Sequence, residues 1–307
     1  MSLRTRFVKR LVGLLMSDWS EGSIEEQRAW QERTTRTARI PADVQCQPVD
    51  ASGVPAEWIG TPDAHAGVIL YLHGGAYALG SIDAHRAFLA RLADATAMDV
   101  LAIDYRLAPE HPFPAALEDA TAAYLWLVSQ GIDPAQVIIA GDSAGGGLTL
   151  ATLVALRNDG KPLPAGAVCI SPWTDLALTG ASIERKASAD PVLDADDLAI
   201  YARYYAGERD LTSPLISPLY ADLTGLPPLL IQVGTDEILL DDAVRCADRA
   251  RAAGVKVTLE VWDGMFHVFP MLPFLRETKN AMEHIAVFAS QVITGSCSGI
   301  PSSLPTK

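Results

Sequence analysis

The amino-acid sequence predicts an α/β protein: a mostly parallel central sheet with helices on both faces. Two patterns carry the prediction. Short apolar runs suited to buried strands recur at 68–72, 100–103, 137–140, 167–170, 229–233 and 257–261, and helix-like stretches at 85–97, 115–129, 144–157 and 241–253 fall between most of them. Strands alternating with helices build βαβ units, and runs that are apolar throughout, rather than at every second residue, suit strands covered on both faces.

Residues 1–40 are helical in pattern and contain no strand. Their opening, RTRFVKRLVGLLMSDW, carries an apolar run too short for a secretory signal and no A-x-A site, so it reads as an amphipathic helix. No stretch approaches the ~18 apolar residues of a membrane span. Runs 44–49 and 54–59, separated by Asp50-Ala51-Ser52-Gly53, read as an antiparallel hairpin on the sheet edge. Residues 176–222 interrupt the alternation with DPVLDADDLAIYARYYAGERD and the proline-bearing LTSPLISPLY. Insertions in such sheets tend to lie over the C-terminal strand ends, so 1–40 and 176–222 are expected to pack together as a lid, with Tyr201, Tyr204 and Tyr205 in it. The polar tail 294–307 is expected to be loose.

Composition narrows the function. The 307 residues are 49% hydrophobic and 20% charged, enough for a large core, and the net charge is −13. That acidity argues against a nucleic-acid partner, whose phosphates require Lys and Arg patches. Cys46, Cys169, Cys246 and Cys297 are scattered, with no metal-ligand spacing. Cys169, within AVCIS, is expected to be a buried thiol, and the set fits a reducing, cytoplasmic setting.

The chemistry is concentrated in 137–151, VIIAGDSAGGGLTLA. Here G-x-S-x-G, made by Gly141, Ser143 and Gly145, stands between an apolar strand and an apolar-spaced helix. That is the setting of a nucleophile elbow, in which a serine occupies a tight strand-to-helix turn. One strand-helix-strand unit earlier, a strand runs into His73-Gly74-Gly75-Ala76, whose backbone N–H groups can face a cavity. Such donors stabilise a developing oxyanion by roughly 3–4 kcal/mol each, and Ala144, opening the helix after the serine, is a further donor. His73, placed before the glycines, reads as a structural residue of the loop. Asp236 follows a strand in GTDEILLDDA, with Glu237, Asp241 and Asp242 as rivals, and His267 follows the last strand in VWDGMFHVFP. The order Ser143, Asp236, His267 is that of a Ser-Asp-His triad on an α/β-hydrolase sheet. Asp142, Asp104, Tyr105 and Arg106 read as residues that tie down the loops around the site.

GDSAGGG, HGGAY, DYRLAPEHPFPAALED, ADLTGLPP, GTDEILLDDA and FHVF together resemble the hormone-sensitive-lipase-like family of bacterial carboxylesterases, from about residue 40 to about 290. The resemblance implies an α/β-hydrolase fold. It implies Ser143 as nucleophile, His267 as general base, Asp236 as its orienting acid, and an oxyanion hole from Gly74, Gly75, Ala76 and Ala144. The family's loop usually carries a third glycine where this chain has Ala76. Implied domains are an N-terminal helical cap segment at 1–40, a catalytic domain at 41–175 and 223–293, a cap insertion at 176–222 and the flexible tail at 294–307. The expected reaction is hydrolysis of short-to-medium acyl esters of small molecules through an acyl-enzyme, with no metal or organic cofactor. Amides, lactones or carbamates would suit the same triad, whereas a non-catalytic receptor on this fold would typically lack the histidine. Many family members form homodimers. Trp173, Tyr201, Tyr204, Tyr205 and Phe266 are candidates to line an acyl or alcohol pocket, and no segment resembles an exposed apolar lid helix.

Overall fold

A computed structural model describes residues 3–15, 22–35, 40–61 and 66–295. Two helices, α1 (Leu3–Leu15) and α2 (Ile24–Thr35), precede the hairpin β1 (Gln45–Asp50) and β2 (Pro55–Gly60). Then come β3 (Val68–Leu72), α3 (Ile82–Thr96), β4 (Asp99–Ile103), α4 (Ala115–Ser129), β5 (Val137–Asp142), α5 (Ala144–Asn158) and β6 (Gly166–Ile170). Two helices, α6 (Ser182–Arg185) and α7 (Ala195–Ala206), lie within the insertion, and β7 (Leu229–Gly234), α8 (Leu240–Ala252), β8 (Val257–Trp262) and α9 (Arg276–Ile293) complete the order.

The eight strands form one sheet in the order β1-β2-β4-β3-β5-β6-β7-β8. β2 pairs antiparallel with β1 and β4, and every other pairing is parallel. Alternate residues of the central strands feed two cores. Leu70, Leu72 and Ile139 point to the face covered by α4, α5 and α8, while Ile69, Tyr71 and Ile138 point to the face covered by α3 and α9. The sheet is thus apolar on both sides, as the continuous runs predict. β8 departs from this: as an edge strand it is only half-buried, and Val261 is exposed. Strand order reverses at β3, which lies between β4 and β5. Leu72 is in register with Gly141, so the HGGA loop and the serine turn leave the sheet side by side. A crevice at such a switch point is where ligands bind in open α/β sheets.

The α7 and α9 helices add to the elements predicted from sequence. α9 carries a helical stripe of Thr278, Ala281, Met282, Ile285, Phe288 and Ala289 that is buried. α7 starts at an Asp194 cap and buries Leu198, Tyr201 and Tyr205. A hydrogen bond from Tyr201 Oη to Gln27 Oε1 (2.7 Å) joins α7 to α2. α1, the segment read as an amphipathic helix, turns Phe7, Leu11 and Leu14 to solvent. Residues 296–307, most of the expected loose tail and the site of Cys297, lie outside the described residues; Cys46, Cys169 and Cys246 are free thiols, and Cys169 is buried. Among the described residues no helix is long and apolar enough to cross a membrane, and no cluster of three His, Cys, Asp or Glu is placed to hold a metal.

Candidate active site

β5 delivers Ser143 into a conformation that side chains rarely adopt, φ 53° and ψ −121°. A Cβ at Gly141 would fall onto the Gly145 carbonyl, and one at Gly145 onto the Leu72 carbonyl, so neither position tolerates a side chain. The glycines of G-x-S-x-G let the turn and the neighbouring strand pack this closely. Ser143 is buried, and its Oγ lies 2.9 Å from His267 Nε2.

The second imidazole nitrogen faces an acid other than the one expected. His267 Nδ1 lies 3.0 Å from Glu237 Oε2. Asp236, the residue implied by the resemblance, turns the other way and forms ion pairs with Lys9 of α1 and, at 3.9 Å, Lys186. Lys9 and Lys186 hold the Asp236 carboxylate away from the imidazole, and the Asp236 N–H donates to the Met265 carbonyl (2.9 Å). Glu237 is fully buried, and its Oε1 accepts from Ser171 Oγ (2.8 Å) and from the Gly234 N–H. Ser171 also accepts from the Val268 N–H (3.1 Å), so one hydroxyl ties the acid to the histidine loop. Burial alone would lower the His267 pKa. The hydrogen bond and charge of Glu237, with Asp190 and Asp142 adding to them, outweigh it and raise the imidazole above its usual value.

The loop after β3 supplies the other side of the crevice. Gly75, Ala76 and Tyr77 follow one another at φ 120°, 52° and 62°. Gly74 is corrected as a free donor: its N–H donates to Asp142 Oδ1 at 2.9 Å, and a Cβ there would strike that carboxylate. Asp142 also accepts from Tyr71 Oη (2.7 Å) and lies 3.4 Å from His85 Nε2, so it anchors the base of the loop. The N–H groups of Gly75, Ala76 and Ala144 have no protein acceptor among the described residues. α2 and α7 hold the strained segment from outside. Arg28 donates to the carbonyls of Ala78 (2.9 Å) and Ala108 (3.0 Å), Gly80 donates to Gln31 Oε1 (2.8 Å), and Tyr205 stacks on Tyr77 at 3.7 Å. His73 stacks on Tyr105 (4.2 Å) and bonds to the Gly74 carbonyl through Nδ1 (2.7 Å). Burial pushes its pKa down to about 3, which keeps it neutral. Of the DYR triplet, Asp104 accepts from the first N–H of α3, Tyr105 Oη donates to the His73 carbonyl, and Arg106 pairs with Asp119 and Glu118.

Between these elements lies a cavity of about 170 Å³, reached by Ser143 and His267. Its apolar wall comes from Trp30, Val192, Leu193, Leu198 and Met271. The five aromatics expected to line it do not. Trp173 and Phe266 are buried in cores, Tyr205 is spent on Tyr77, Tyr201 on Gln27, and Tyr204 is exposed, edge-on to Tyr201. Asp190, a residue the sequence reading did not single out, shapes the wall by accepting from the N–H groups of Val192 (2.9 Å), Leu193 (3.2 Å) and Ile238 (2.9 Å).

A family profile described as the alpha/beta hydrolase fold matches residues 69–271. An acetyl-hydrolase of Streptomyces hygroscopicus is 49% identical over 81% of this chain and 82% of its own. An esterase of Acinetobacter venetianus is 40% identical over 81% and 83%. Among solved structures, an esterase from the bacterial hormone-sensitive lipase family superposes with a TM-score of 0.90 at 46% identity, covering 93% of this chain and 98% of that one. EstE5 soaked with p-nitrophenyl butyrate superposes with a TM-score of 0.89 at 41% identity, covering 96% and 100%. With relatives this similar along most of both chains, the chain belongs to the bacterial hormone-sensitive-lipase-like family of carboxylic ester hydrolases on the α/β-hydrolase fold.

Proposed function

We propose that the protein is a serine carboxylesterase for short-to-medium acyl esters of small alcohols. The observation that carries this reading is the unbroken hydrogen-bonded chain Ser143 Oγ, His267, Glu237, at 2.9 and 3.0 Å, on the floor of an apolar cavity. His267 Nε2 takes the hydroxyl proton as Ser143 Oγ attacks the ester carbonyl. Glu237 holds the imidazole so that Nε2 faces the serine, and stabilises the imidazolium that forms. The carbonyl oxygen becomes an oxyanion that accepts from the N–H groups of Gly75, Ala76 and Ala144. The alcohol leaves with the proton from His267. Water then attacks the acyl-enzyme by the same route and releases the acid.

The substrate range follows from the cavity. A volume of about 170 Å³ lined by Trp30 and Leu198 suits an acyl chain of a few carbons, not a triglyceride. The described relative soaked with p-nitrophenyl butyrate is in keeping with that size. α2 and the 176–222 insertion act together as the cap over the site, joined by the Tyr201–Gln27 hydrogen bond. Initial rates across p-nitrophenyl esters of increasing acyl length test the reading, with Ser143→Ala as control. Rates should peak at short chains and vanish in the variant; turnover by Ser143→Ala would refute the mechanism.

A further inference from the structure

We propose that α1 docks the protein onto an anionic lipid surface. The helix has two apolar faces. Val8 and Val12 face inward and pack against the cluster around Met265 and Phe266. Phe7 (69% exposed), Leu11 (44%) and Leu14 (68%) stand on an adjoining, outward face at positions i, i+4 and i+7. Arg10, which is exposed, borders that stripe. The sequence of the helix carries Arg4, Arg6 and Arg10, besides the Lys9 that pairs with Asp236, and no acid, in a chain whose net charge is −13. Basic side chains flanking an apolar stripe are the makeup of a helix that lies in the headgroup region of an anionic bilayer.

A second copy of the chain fits this face less well. The helix is about 20 Å long, and one exposed stripe on it falls far short of the ~800 Å² per partner of a stable interface. A two-fold contact would also bring Arg10 towards its own copy, whereas lipid phosphates complement it. The inner side of the helix meets the cavity wall: Gly13 lies against Pro191, whose neighbour Val192 lines the cavity beside Ser143. A docked α1 therefore holds the ester-binding crevice near the interface where apolar esters accumulate.

The test is co-sedimentation of the full chain with vesicles of equal parts phosphatidylglycerol and phosphatidylcholine, and with phosphatidylcholine alone. The wild-type protein should pellet with the anionic vesicles, about tenfold less with the neutral ones, and less as salt is added. Phe7→Ser/Leu11→Ser and Arg10→Glu should each weaken binding about tenfold while hydrolysing soluble p-nitrophenyl acetate at the wild-type rate. The proposal falls if the wild-type protein stays in the supernatant, if it pellets equally with neutral vesicles, or if both variants pellet as it does. Light scattering that shows a dimer broken by Phe7→Ser/Leu11→Ser, without vesicle binding, would assign the stripe to a second copy instead. Ester hydrolysis without vesicle binding would leave the esterase reading intact and remove only the docking.

Discussion

At the scale of single residues, the site turns on which of two adjacent acids faces the histidine. Asp236 is part-exposed and neutralised by Lys9 and Lys186, whereas Glu237 is buried with both oxygens occupied by donors. Glu237→Gln should lower kcat by about 10²–10⁴, since the amide cannot stabilise the imidazolium. Asp236→Asn should stay within about threefold, because its carboxylate faces Lys9 and Lys186 and not His267. Initial rates on p-nitrophenyl butyrate separate the two, and a larger loss for Asp236→Asn would restore the acid expected from sequence. The same pair sets the pH profile. Activity requires neutral His267, and its raised pKa places the acid limb above the usual imidazole value. Removing the Glu237 charge removes what raises that pKa, so any residual activity of Glu237→Gln should persist to lower pH. Spacing could not distinguish the two acids. Ser143 and His267 were legible because a glycine-bounded turn and a loop after the last strand leave few alternatives, but side-chain direction in GTDE depends on Lys9 and Lys186, which come from other segments.

At the scale of elements, the HGGA loop, which the proposed mechanism uses as oxyanion hole, is strained and is held by helices outside the sheet. Arg28 of α2 fixes the carbonyls of Ala78 and Ala108, and holds the Glu110 carboxyl down to about 2. Arg28→Met removes those bonds without emptying the cavity. It should lower kcat about tenfold with KM nearly unchanged, as expected when a transition-state interaction alone is weakened. A rise in KM alone would mean that α2 only shapes the pocket. Ala76, at φ 52°, carries strain that glycine would release. Ala76→Gly should stabilise the fold by about 0.5–1 kcal/mol in urea melts and leave kcat/KM within about threefold. A large loss of activity would instead show that the methyl group, which lies in the cavity wall, holds the loop in its working conformation. The strands and the HGGA loop were legible as elements because continuous apolar runs and paired glycines are local signals. The fate of the Gly74 N–H was not, because its acceptor, Asp142, comes from a different strand 68 positions later.

At the scale of the whole molecule, sequence alternation was enough to read a doubly covered parallel sheet with the site at its C-terminal edge. It could not show how the insertion is fastened. That depends on buried polar contacts between segments far apart in sequence, of which Asp175 and Asp242 are the densest. Asp175 pairs with Arg245 and accepts from Thr179 and Tyr220, while Asp242 Oδ2 accepts from the N–H groups of Thr174 and Asp175 and its Oδ1 has no partner. Burial, and then the charge of Asp175, push the Asp242 carboxyl up to about 8. Its folded pKa therefore lies above its unfolded value, and between about pH 4 and 8 the folded state binds the extra proton. The contribution of this group to stability is complete below the unfolded pKa and is lost as pH rises towards 8. Asp242→Asn keeps an acceptor for the two N–H groups and cannot ionise. The variant should gain on the wild-type protein as pH increases, with its Tm a few degrees closer to, or above, the wild-type value at pH 9 than at pH 5, consistent with a difference of about 1 kcal/mol or more. Thermal melts of both proteins across that range decide it: parallel curves would mean that Asp242 is ionised throughout and that the insertion is fastened to α8 by a buried charge.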